Sequence, residues 1–368
     1  MQVIELWNFK HNEVILGIEI GDINNNGNIE IIAFTRTGTL LFLSQNGEII
    51  QQKVISKEIP IWYLKVHDLD NDGKNEIILG GMDGVLRTYK CNISYELISF
   101  WNHKFGNSIS GILINDINKN NSSELIVYSL DKTIRILDSL NGNLIWGQIF
   151  EDGVGDAIVF TDDKKMIIAG GNDGTIRAFN AFDGELLWFK RFSNKVRCVS
   201  YLKTTKGWVI LCGGDDKELH FIDIKTQKEF KTIKFKDYVW KCKSYLLPNF
   251  NKSLVSSYSF DYLNNSLQLE NINFTSRLIC LNESLDVNWE LKGYNIECLK
   301  VIEIFSKILI FVGTTEGELI IIEEETGSII YNNTINGCLN MIQILEEKKI
   351  LFCCCDNGMI IAYKLTNN

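Results

Sequence analysis

An internal repeat of β-rich segments, each with a tight turn at its centre, limits the folds open to this chain more than any other feature. Residues 78–87 read ILGGMDGVLR and residues 168–177 read IAGGNDGTIR. Residues 312–319 and 354–360 follow the same pattern. Self-similarity at a fixed period of roughly 20–50 residues is the signature of repeat architectures, in which each copy is one supersecondary unit. We therefore expect the chain to consist of such units.

The turns fall at regular intervals along the chain. Weaker copies of the pattern are centred on Gly38, Lys132 and Lys217, so the turn anchors are residues 38, 84, 132, 174, 217, 317 and 358. The intervals are 46, 48, 42, 43, 100 and 41 residues, and the interval of 100 corresponds to two periods with an insertion. The missing copy runs from residues 253–255 to residues 277–279. Eight units result, with a mean length of 46 residues.

Each unit is predicted to contain four β-strands, A to D. In the fourth unit these lie at 156–161, 166–169, 175–180 and 185–192, and Gly174 supplies the positive φ that a tight hairpin needs. Apolar residues alternate with a period of two and glycine interrupts each run, which excludes amphipathic helices. Units of about 40–50 residues with four antiparallel strands are typical of β-propeller blades.

The two ends of the sequence predict how the propeller closes. The last unit has strands A, B and C up to residue 364 but no strand D, whereas residues 3–9 precede the first unit and resemble residues 185–189. We expect the N-terminal strand to complete the last blade, because this removes an open sheet edge. The prediction is an all-β, single-domain, eight-bladed β-propeller of four-stranded antiparallel blades. The predicted blades are residues 13–55, 60–102, 108–150, 154–193, 196–236, 240–291, 296–335, and 338–368 with 1–9.

Two residue types recur at fixed positions in the blades. Trp146 and Trp188 lie four residues after a glycine turn, where a large flat ring would fill the space between neighbouring sheets. A basic residue lies three positions after the hairpin anchor in blades two to four, and blade five has His220 there. Pairing between blades, with carboxylates such as Asp83 or Asp173, is favoured over a basic binding stripe. The arginines are Arg87, Arg135 and Arg177.

The first three units share a polar loop between strands A and B. Oxygen-bearing side chains occupy loop positions 1, 3 and 5, a backbone carbonyl is available at position 7, and an acid follows at position 9. Ca²⁺ takes about six to eight oxygen ligands, and alternate positions of a tight loop converge on one point. We therefore predict structural Ca²⁺ in these loops. The candidate ligands are Asp22, Asn24, Asn26, Asn28 and Glu30 in unit one, Asp68, Asp70, Asp72, Lys74 and Glu76 in unit two, and Asp116, Asn118, Asn120, Ser122 and Glu124 in unit three.

The alternative interpretation is that these loops are Asx-turns, whose side chains accept backbone N–H groups without a metal. Loop two concentrates four carboxylates that would repel one another without a cation, so it favours a metal most. Loop one has neutral asparagines at the two side-chain positions 3 and 5, and loop three has Asn121 in place of the glycine. None is an EF-hand, because position 12 is Leu79, Ala33 or Val127 rather than glutamate, and strands flank the loops.

Charge and composition disfavour several function classes. Lys and Arg number 37 against 46 Asp and Glu, and the resulting net charge of −9 argues against a nucleic-acid-binding surface. The N-terminal segment shows no secretory signal, and no apolar run reaches the roughly 18–20 residues that cross a bilayer. The 10 cysteines include no CxxC pair, which favours a reducing, cytoplasmic setting.

The second and fourth units resemble known repeats. Residues 68–80 (DLDNDGKNEIILG) look like the FG-GAP/VCBS-type repeat of integrin-α-like propellers. The continuation to residue 89 is similar to the propellers of Bardet–Biedl (BBSome) subunits and of cytosolic FG-GAP adaptors. Residues 183–188 (DGELLW), like unit seven, are more similar to the tryptophan-docking repeats of quinoprotein and outer-membrane-assembly propellers. The first resemblance implies an adaptor or a subunit of an intracellular, trafficking-type complex.

No catalytic constellation is recognisable in the sequence. The four histidines are scattered, with no Ser–His–Asp or metal–histidine motif. Cys353, Cys354 and Cys355 resemble the adjacent-cysteine disulfide of some quinoprotein dehydrogenases, but their place on strand B favours core packing. We predict a non-catalytic scaffold that binds protein partners, without nucleic-acid binding or membrane insertion, and name a quinoprotein-like or carbohydrate-acting propeller enzyme as the alternative. The long hairpin of blade six, residues 259–276, is the predicted partner contact.

Overall fold

The computed structural model describes residues 1–247, 250–259 and 275–367, which contain thirty-two β-strands. The strands form eight four-stranded antiparallel sheets, which are the blades of an eight-bladed β-propeller. The predicted fold class is therefore confirmed. Within the described ranges, no helix is long and apolar enough to cross a membrane. Residues 260–274, most of the hairpin predicted to contact a partner, lie outside the described residues.

The chain forms two compact units. One contains Met1–Leu125, Leu137–Leu144 and Glu297–Asn368, and the other contains Ile126–Ile136 and Ile145–Ile296. The strands of the first four blades are β2 (Ile15–Gly21), β3 (Glu30–Thr35), β4 (Thr39–Leu43) and β5 (Ile49–Val54); β6 (Ile61–His67), β7 (Glu76–Gly81), β8 (Val85–Cys91) and β9 (Leu97–Lys104); β10 (Ile109–Asn115), β11 (Glu124–Ser129), β12 (Thr133–Asp138) and β13 (Leu144–Ile149); and β14 (Val154–Thr161), β15 (Lys165–Gly171), β16 (Thr175–Asn180) and β17 (Leu186–Arg191).

The remaining four blades have the same order of strands along the chain, except that the last blade takes its fourth strand from the N-terminus. These strands are β18 (Val196–Thr204), β19 (Gly207–Gly214), β20 (Glu218–Asp223) and β21 (Glu229–Lys234); β22 (Tyr238–Leu247), β23 (Phe250–Tyr258), β24 (Arg277–Leu281) and β25 (Val287–Lys292); β26 (Ile296–Ile304), β27 (Lys307–Thr314), β28 (Glu318–Glu323) and β29 (Ile329–Thr334); and β30 (Leu339–Leu345), β31 (Ile350–Cys355), β32 (Met359–Thr366) and β1 (Gln2–Lys10).

The seven turn anchors found in the sequence share one backbone conformation. Their φ angles lie between 65° and 86°, in the left-handed region that glycine adopts without steric cost. Five anchors are glycine, and the other two are Lys132 and Lys217. The weaker repeats at these lysines therefore build the same turn as the glycine copies, which explains why the period continues through them.

The N-terminal strand closes the last blade, as predicted. β1 pairs antiparallel with β32, from Gln2 opposite Thr366 to Lys10 opposite Met359, and the sheet order is β1-β32-β31-β30. Trp7 packs against the buried cluster between blades eight and one. The edge that β32 would otherwise expose is thus paired along its length.

The core lies between neighbouring blades, and strand B supplies both sides of it. Along β3, Ile31 packs towards blade eight, whereas Ile32 packs towards blade two. The same alternation holds in β31, where Cys354 faces blade one and Cys353 faces blade seven. All three adjacent cysteines, including Cys355, are fully buried, which supports the packing interpretation. Burial raises the pKa of the Cys355 thiol to about 12, so it remains protonated.

A tryptophan near the end of a blade docks onto the next blade, as the recurring aromatic predicted. The indole N–H of Trp146 donates to the carbonyl of Ala181 at 2.9 Å, and its ring covers Gly184, where a Cβ would come within 2.6 Å of the ring. Trp101 donates to the Ser139 carbonyl at 2.8 Å in the same way. Glycine at this turn therefore allows the close approach of the ring.

The recurring arginines do pair with carboxylates, but within their own blade. Arg177 contacts Asp173, four residues earlier, at 2.8 Å. The expected pairing between blades was wrong in this respect, because the hairpin turn places the two side chains side by side. Arg177 contacts the preceding blade through a hydrogen bond to the Ile149 carbonyl at 2.9 Å and through the ring of Phe150, whose centroid lies 4.2 Å from the guanidinium. Equivalent ion pairs are Arg87–Asp83 and Arg135–Asp131.

Candidate metal centre

The three polar loops adopt one backbone conformation. The fourth loop residue, Asn25, Asn71 or Lys119, has φ between 56° and 59°, and the sixth residue is also left-handed in each loop. In loop three the sixth residue is Asn121, with φ of 66°, which confirms that asparagine can replace glycine at this turn. The conformation is therefore set by the loop pattern and not by one glycine.

The first aspartate of each loop accepts two backbone N–H groups. In loop two, Asp68 accepts from Asp72 at 3.2 Å and from Gly73 at 2.9 Å. Asp22 and Asp116 accept from the equivalent amides of loops one and three. The fifth side chain likewise accepts from the seventh amide in each loop, through Asn26, Asp72 and Asn120. These are the contacts that the Asx-turn interpretation expects.

The glutamate at position 9 is buried in all three loops. One of its oxygens accepts the N–H of the second loop residue, as Glu76 does from Leu69 at 2.8 Å. Glu30 and Glu124 make the same bond to Ile23 and Ile117. The glutamate thereby ties the start of strand B to the start of the loop, and only its other oxygen is directed to the loop centre.

A different group contacts that other oxygen in each loop. In loop one the hydroxyl of Tyr95 donates to Glu30 at 3.0 Å. In loop three the side-chain amide of Asn118 donates to Glu124 at 2.6 Å. In loop two the ammonium of Lys90 lies 3.7 Å from Glu76. A protein group thus occupies the neighbourhood of the ninth-position carboxylate in every case, and only in loop two is it a cation.

Loop two is the most highly charged of the three. The Lys90 ammonium lies 2.5 Å from Asp70 and 3.2 Å from Asp72. The pKa of Glu76 is raised to about 7. Burial is the largest cause and the negative charge of Asp70 adds to it, whereas the hydrogen bond from the Leu69 N–H acts in the opposite direction. Oδ1 of Asp70 and Oε1 of Glu76 are buried and accept no hydrogen bond from any described residue. Two carboxylate oxygens therefore face the loop centre without a donor.

These donors fit a hard divalent cation in loop two. Oxygens of Asp68, Asp70 and Glu76 all lie within 4.8 Å of one another. Two ligands on opposite sides of a Ca²⁺ ion are separated by roughly 4.6–5.2 Å, so the spacing suits this ion. In loops one and three the ninth-position carboxylate is hydrogen-bonded to a neutral donor and the charge is lower. The predicted calcium therefore fits loop two, whereas in loops one and three it remains a prediction that the hydrogen bonds support less.

The three loops are joined into one hydrogen-bonded surface. Asn75 of loop two donates through its backbone N–H to Asn25 of loop one at 2.9 Å, and through its side chain to the Asp22 carbonyl at 2.9 Å. On the other side, Asn71 donates to the Asn121 carbonyl of loop three at 2.6 Å. Loop two is therefore hydrogen-bonded to both of its neighbours.

Sequence reasoning missed Lys90, although a signal was present. Lys90 lies six residues after its turn anchor, Gly84, and Ser44 occupies the same position in blade one, where it begins the turn between strands C and D. In blade two that turn begins two residues later, at Asn92, whose N–H bonds to Glu96. The longer strand C therefore places a lysine opposite Glu76 in the sheet.

A second surface stands out on the outer strands of blades three and four. Large apolar side chains on and next to β13 and β17 are between 37% and 71% exposed, and six of them lie in the second compact unit. The side-chain amide of Gln148 in β13 donates to the Gly184 carbonyl at 2.8 Å, just before β17, so the two strands are neighbours. Each pairs with one strand only and is a sheet edge. The outer apolar surface consists of Ile145, Ile149, Phe182, Leu186, Leu187 and Phe189.

Part of the chain matches a known family. Residues 130–243, less than half of the chain, match the family model described as outer membrane protein assembly factor BamB. This segment includes residues 183–188 and confirms the resemblance of unit four to outer-membrane-assembly propellers. No curated protein matches the chain.

Solved structures are similar over nearly the whole chain. A computationally designed protein, Ika8, is 14% identical with a TM-score of 0.73, over 98% of this chain and 100% of the other. BamB from Moraxella catarrhalis is 17% identical with a TM-score of 0.67, over 99% and 100%. Sqt1 from Saccharomyces cerevisiae is 10% identical with a TM-score of 0.75, over 100% of both chains. At these identities the likeness shows the propeller fold alone.

Proposed function

We propose that this propeller is a non-catalytic scaffold that binds a protein partner through its outer apolar surface. The exposure of six large apolar side chains on neighbouring edge strands is the observation that carries the proposal. Isolated exposed apolar residues are normal on soluble proteins, whereas contiguous patches mark interaction sites. Aromatic side chains such as Phe182 and Phe189 are also enriched at protein interfaces. The similarity of residues 130–243 to an assembly factor is compatible with this role.

The chemistry of the described residues supports a role without catalysis. His220 is held between two carboxylates, and His103 bonds to the Gly142 carbonyl at 3.0 Å, so both have structural partners. His67 lies 3.2 Å from the hydroxyl of Ser123, and no carboxylate of a described residue hydrogen-bonds to its ring to complete a triad. The buried cysteines of β31 offer no exposed thiol pair to a quinone. We therefore keep the scaffold over the quinoprotein-like or carbohydrate-acting enzyme.

A more specific proposal concerns the cellular setting of the protein and the ion that loop two binds. The FG-GAP-like pattern of residues 68–80 supports an adaptor or subunit of a cytoplasmic, BBSome-like complex. We propose that loop two holds a structural Ca²⁺ ion through Asp68, Asp70, Asp72 and Glu76, with the carbonyl of Lys74. The ion would supply positive charge that offsets the repulsion among these carboxylates. The joined loops would then present a rigid surface.

Affinity purification of a tagged chain from its source cells tests the scaffold. We compare the wild type with the double variant Leu187→Lys/Phe189→Lys. The matched control is Ile50→Lys/Val54→Lys, which places the same two charges on the exposed outer strand of blade one. All three proteins should melt alike, because exposed substitutions usually change stability by only about 0.5 kcal/mol. We expect a stoichiometric partner with the wild type and the control that is lost with the Leu187/Phe189 variant. An unchanged partner set would contradict the assignment of this surface.

A further inference from the structure

We propose that Lys90 is a tethered cation of loop two, and that a divalent ion binds there only by displacing the Lys90 ammonium. The inference rests on the cation site of the proposed function and concerns what controls that site. The Lys90 ammonium would then compete with the divalent ion for the same carboxylates.

The position of the Lys90 ammonium supports its role as a tethered cation of loop two. It contacts Asp70, Asp72 and Glu76 at 2.5, 3.2 and 3.7 Å, so it neutralises the same carboxylates that a metal would use. The ammonium also lies 5.1 Å from the ring centroid of Phe100, which adds a cation–π contact. Lys90 is thus held by the loop carboxylates and by an aromatic ring.

Carboxylate oxygens of loop two that accept no hydrogen bond support the displacement of Lys90 by a divalent ion. A lysine ammonium is a compact charge with three donors, whereas loop two offers more oxygens than it can satisfy. Oδ1 of Asp70 and Oε1 of Glu76 remain without a hydrogen bond, and Glu76 is only 1% exposed. Buried carboxylate oxygens without a donor are costly, so a ligand that engages them gains free energy. The oxygen cluster is therefore incompletely satisfied by Lys90 alone.

The two cations cannot occupy the cluster together. A divalent ion among oxygens that lie within 4.8 Å of one another would lie within a few ångströms of the ammonium, and like charges at that distance repel strongly in a partly buried site. The Lys90 side chain is 35% exposed, so it has a route into solvent. Displacement therefore requires only a change of side-chain rotamer.

Loops one and three provide an internal comparison. There the free oxygen of the ninth-position glutamate accepts a hydrogen bond from Tyr95 or Asn118, which are neutral donors. These loops also carry fewer carboxylates, so they need less compensation. Lys90 therefore accompanies the loop that has the greatest excess of negative charge, as expected for a counter-charge.

Calcium titration of the full chain tests the inference. We compare wild type, Lys90→Met and Lys104→Met by calorimetry, and by thermal unfolding in chelator and in calcium. Lys104→Met is the matched control because it removes the same charge from the same blade, where the Lys104 ammonium bonds to the Asp83 carbonyl. We expect Lys90→Met to bind Ca²⁺ on the order of ten-fold more tightly than the wild type and Lys104→Met, because the competing charge is absent. We also expect Lys90→Met to melt at a lower temperature in chelator and to regain stability in calcium.

The possible results distinguish the displacement of Lys90 from the existence of the calcium site. If all three proteins bind Ca²⁺ with equal affinity, the tethered-cation inference is overturned and the proposed site stands. If none binds at millimolar Ca²⁺, both the site and the displacement are overturned. Adding Asp70→Asn to Lys90→Met should abolish the gain in affinity; a gain that persists would mean that the ion binds elsewhere, which also overturns the inference.

Discussion

The residue three positions after each hairpin anchor is basic in blades two to five, and His220 is the titratable member of this series. Its Nε2 lies 3.0 Å from Asp216, the counterpart of the aspartates that pair with arginine, and its Nδ1 lies 2.8 Å from Glu229. The imidazole stacks 4.1 Å from the ring of Phe192, as Arg177 does on Phe150. Blade five therefore uses a pH-dependent cation where its neighbours use a permanent one.

The first prediction concerns the pH dependence of stability. Burial opposes charging of His220, but the hydrogen bonds that its ring donates to Asp216 and Glu229 outweigh this effect and raise the pKa of His220. A raised folded-state pKa means that the stabilisation is fully present below the unfolded value of about 6.5 and is lost as pH rises through the folded value. We therefore expect the stability difference between the wild type and His220→Gln to be larger at acidic than at alkaline pH, with a cost of about 1–3 kcal/mol at acidic pH. Urea unfolding across this range measures it, and a difference independent of pH would contradict the assignment.

At the scale of elements, β1 pairs with a strand at the opposite end of the sequence. It completes blade eight by pairing with β32, and the paired residues Lys10 and Met359 are 349 positions apart. Its Trp7 indole donates to the Gln45 carbonyl at 2.8 Å and so also joins blade one. β1 therefore holds the first and last blades together.

The second prediction follows from this double contact. Deleting residues 1–10 leaves β32 as an exposed edge and removes the packing of the half-buried Trp7 and Phe9. Truncating a fully buried aromatic residue to alanine costs about 3–5 kcal/mol, so each of these rings contributes less than that. We expect a lower melting temperature, less cooperative unfolding and aggregation. A synthetic peptide of residues 1–11 should restore part of the stability, and calorimetry measures both effects. A truncated protein that melts like the full-length chain would show that β1 does not close the fold.

The elements also show what the sequence could and could not predict. The repeat period, the missing strand D and the left-handed turns at positions such as Lys217 were visible as local patterns, because β alternation and turn residues are short-range signals. The Lys90–Glu76 contact depends on the register of two strands, and the Tyr95–Glu30 bond joins different blades. Such contacts are set by pairing and by blade packing, which no single segment of the sequence encodes. The pairing of the arginines is different, because each arginine contacts an aspartate four residues earlier in the same hairpin, a local contact that the turn pattern contains.

At the scale of the whole molecule, the blades share one fold but differ in the loops and the apolar side chains that they expose. Loops with a calcium-type pattern occur in blades one to three, whereas the outer apolar surface belongs to blades three and four. The match to the outer membrane protein assembly factor family covers residues 130–243, which include all six residues of that surface and none of the loops. A repeat fold allows this division, because each blade needs only its neighbours for its core and is free to vary at loops and edges.

The most direct test of the scaffold is amide hydrogen exchange on the chain alone and in complex with the partner that it retains. In the free chain the outward-facing amides of β13 and β17 belong to sheet edges without a strand partner, so they should exchange faster than those of β15, which pairs on both sides. If the outer apolar surface is the binding site, the complex should slow exchange in β13, β17 and the turn at Phe182 and leave β5 of blade one unchanged. Unchanged exchange in β13 and β17, with protection elsewhere on the chain, would contradict the proposed function of this surface.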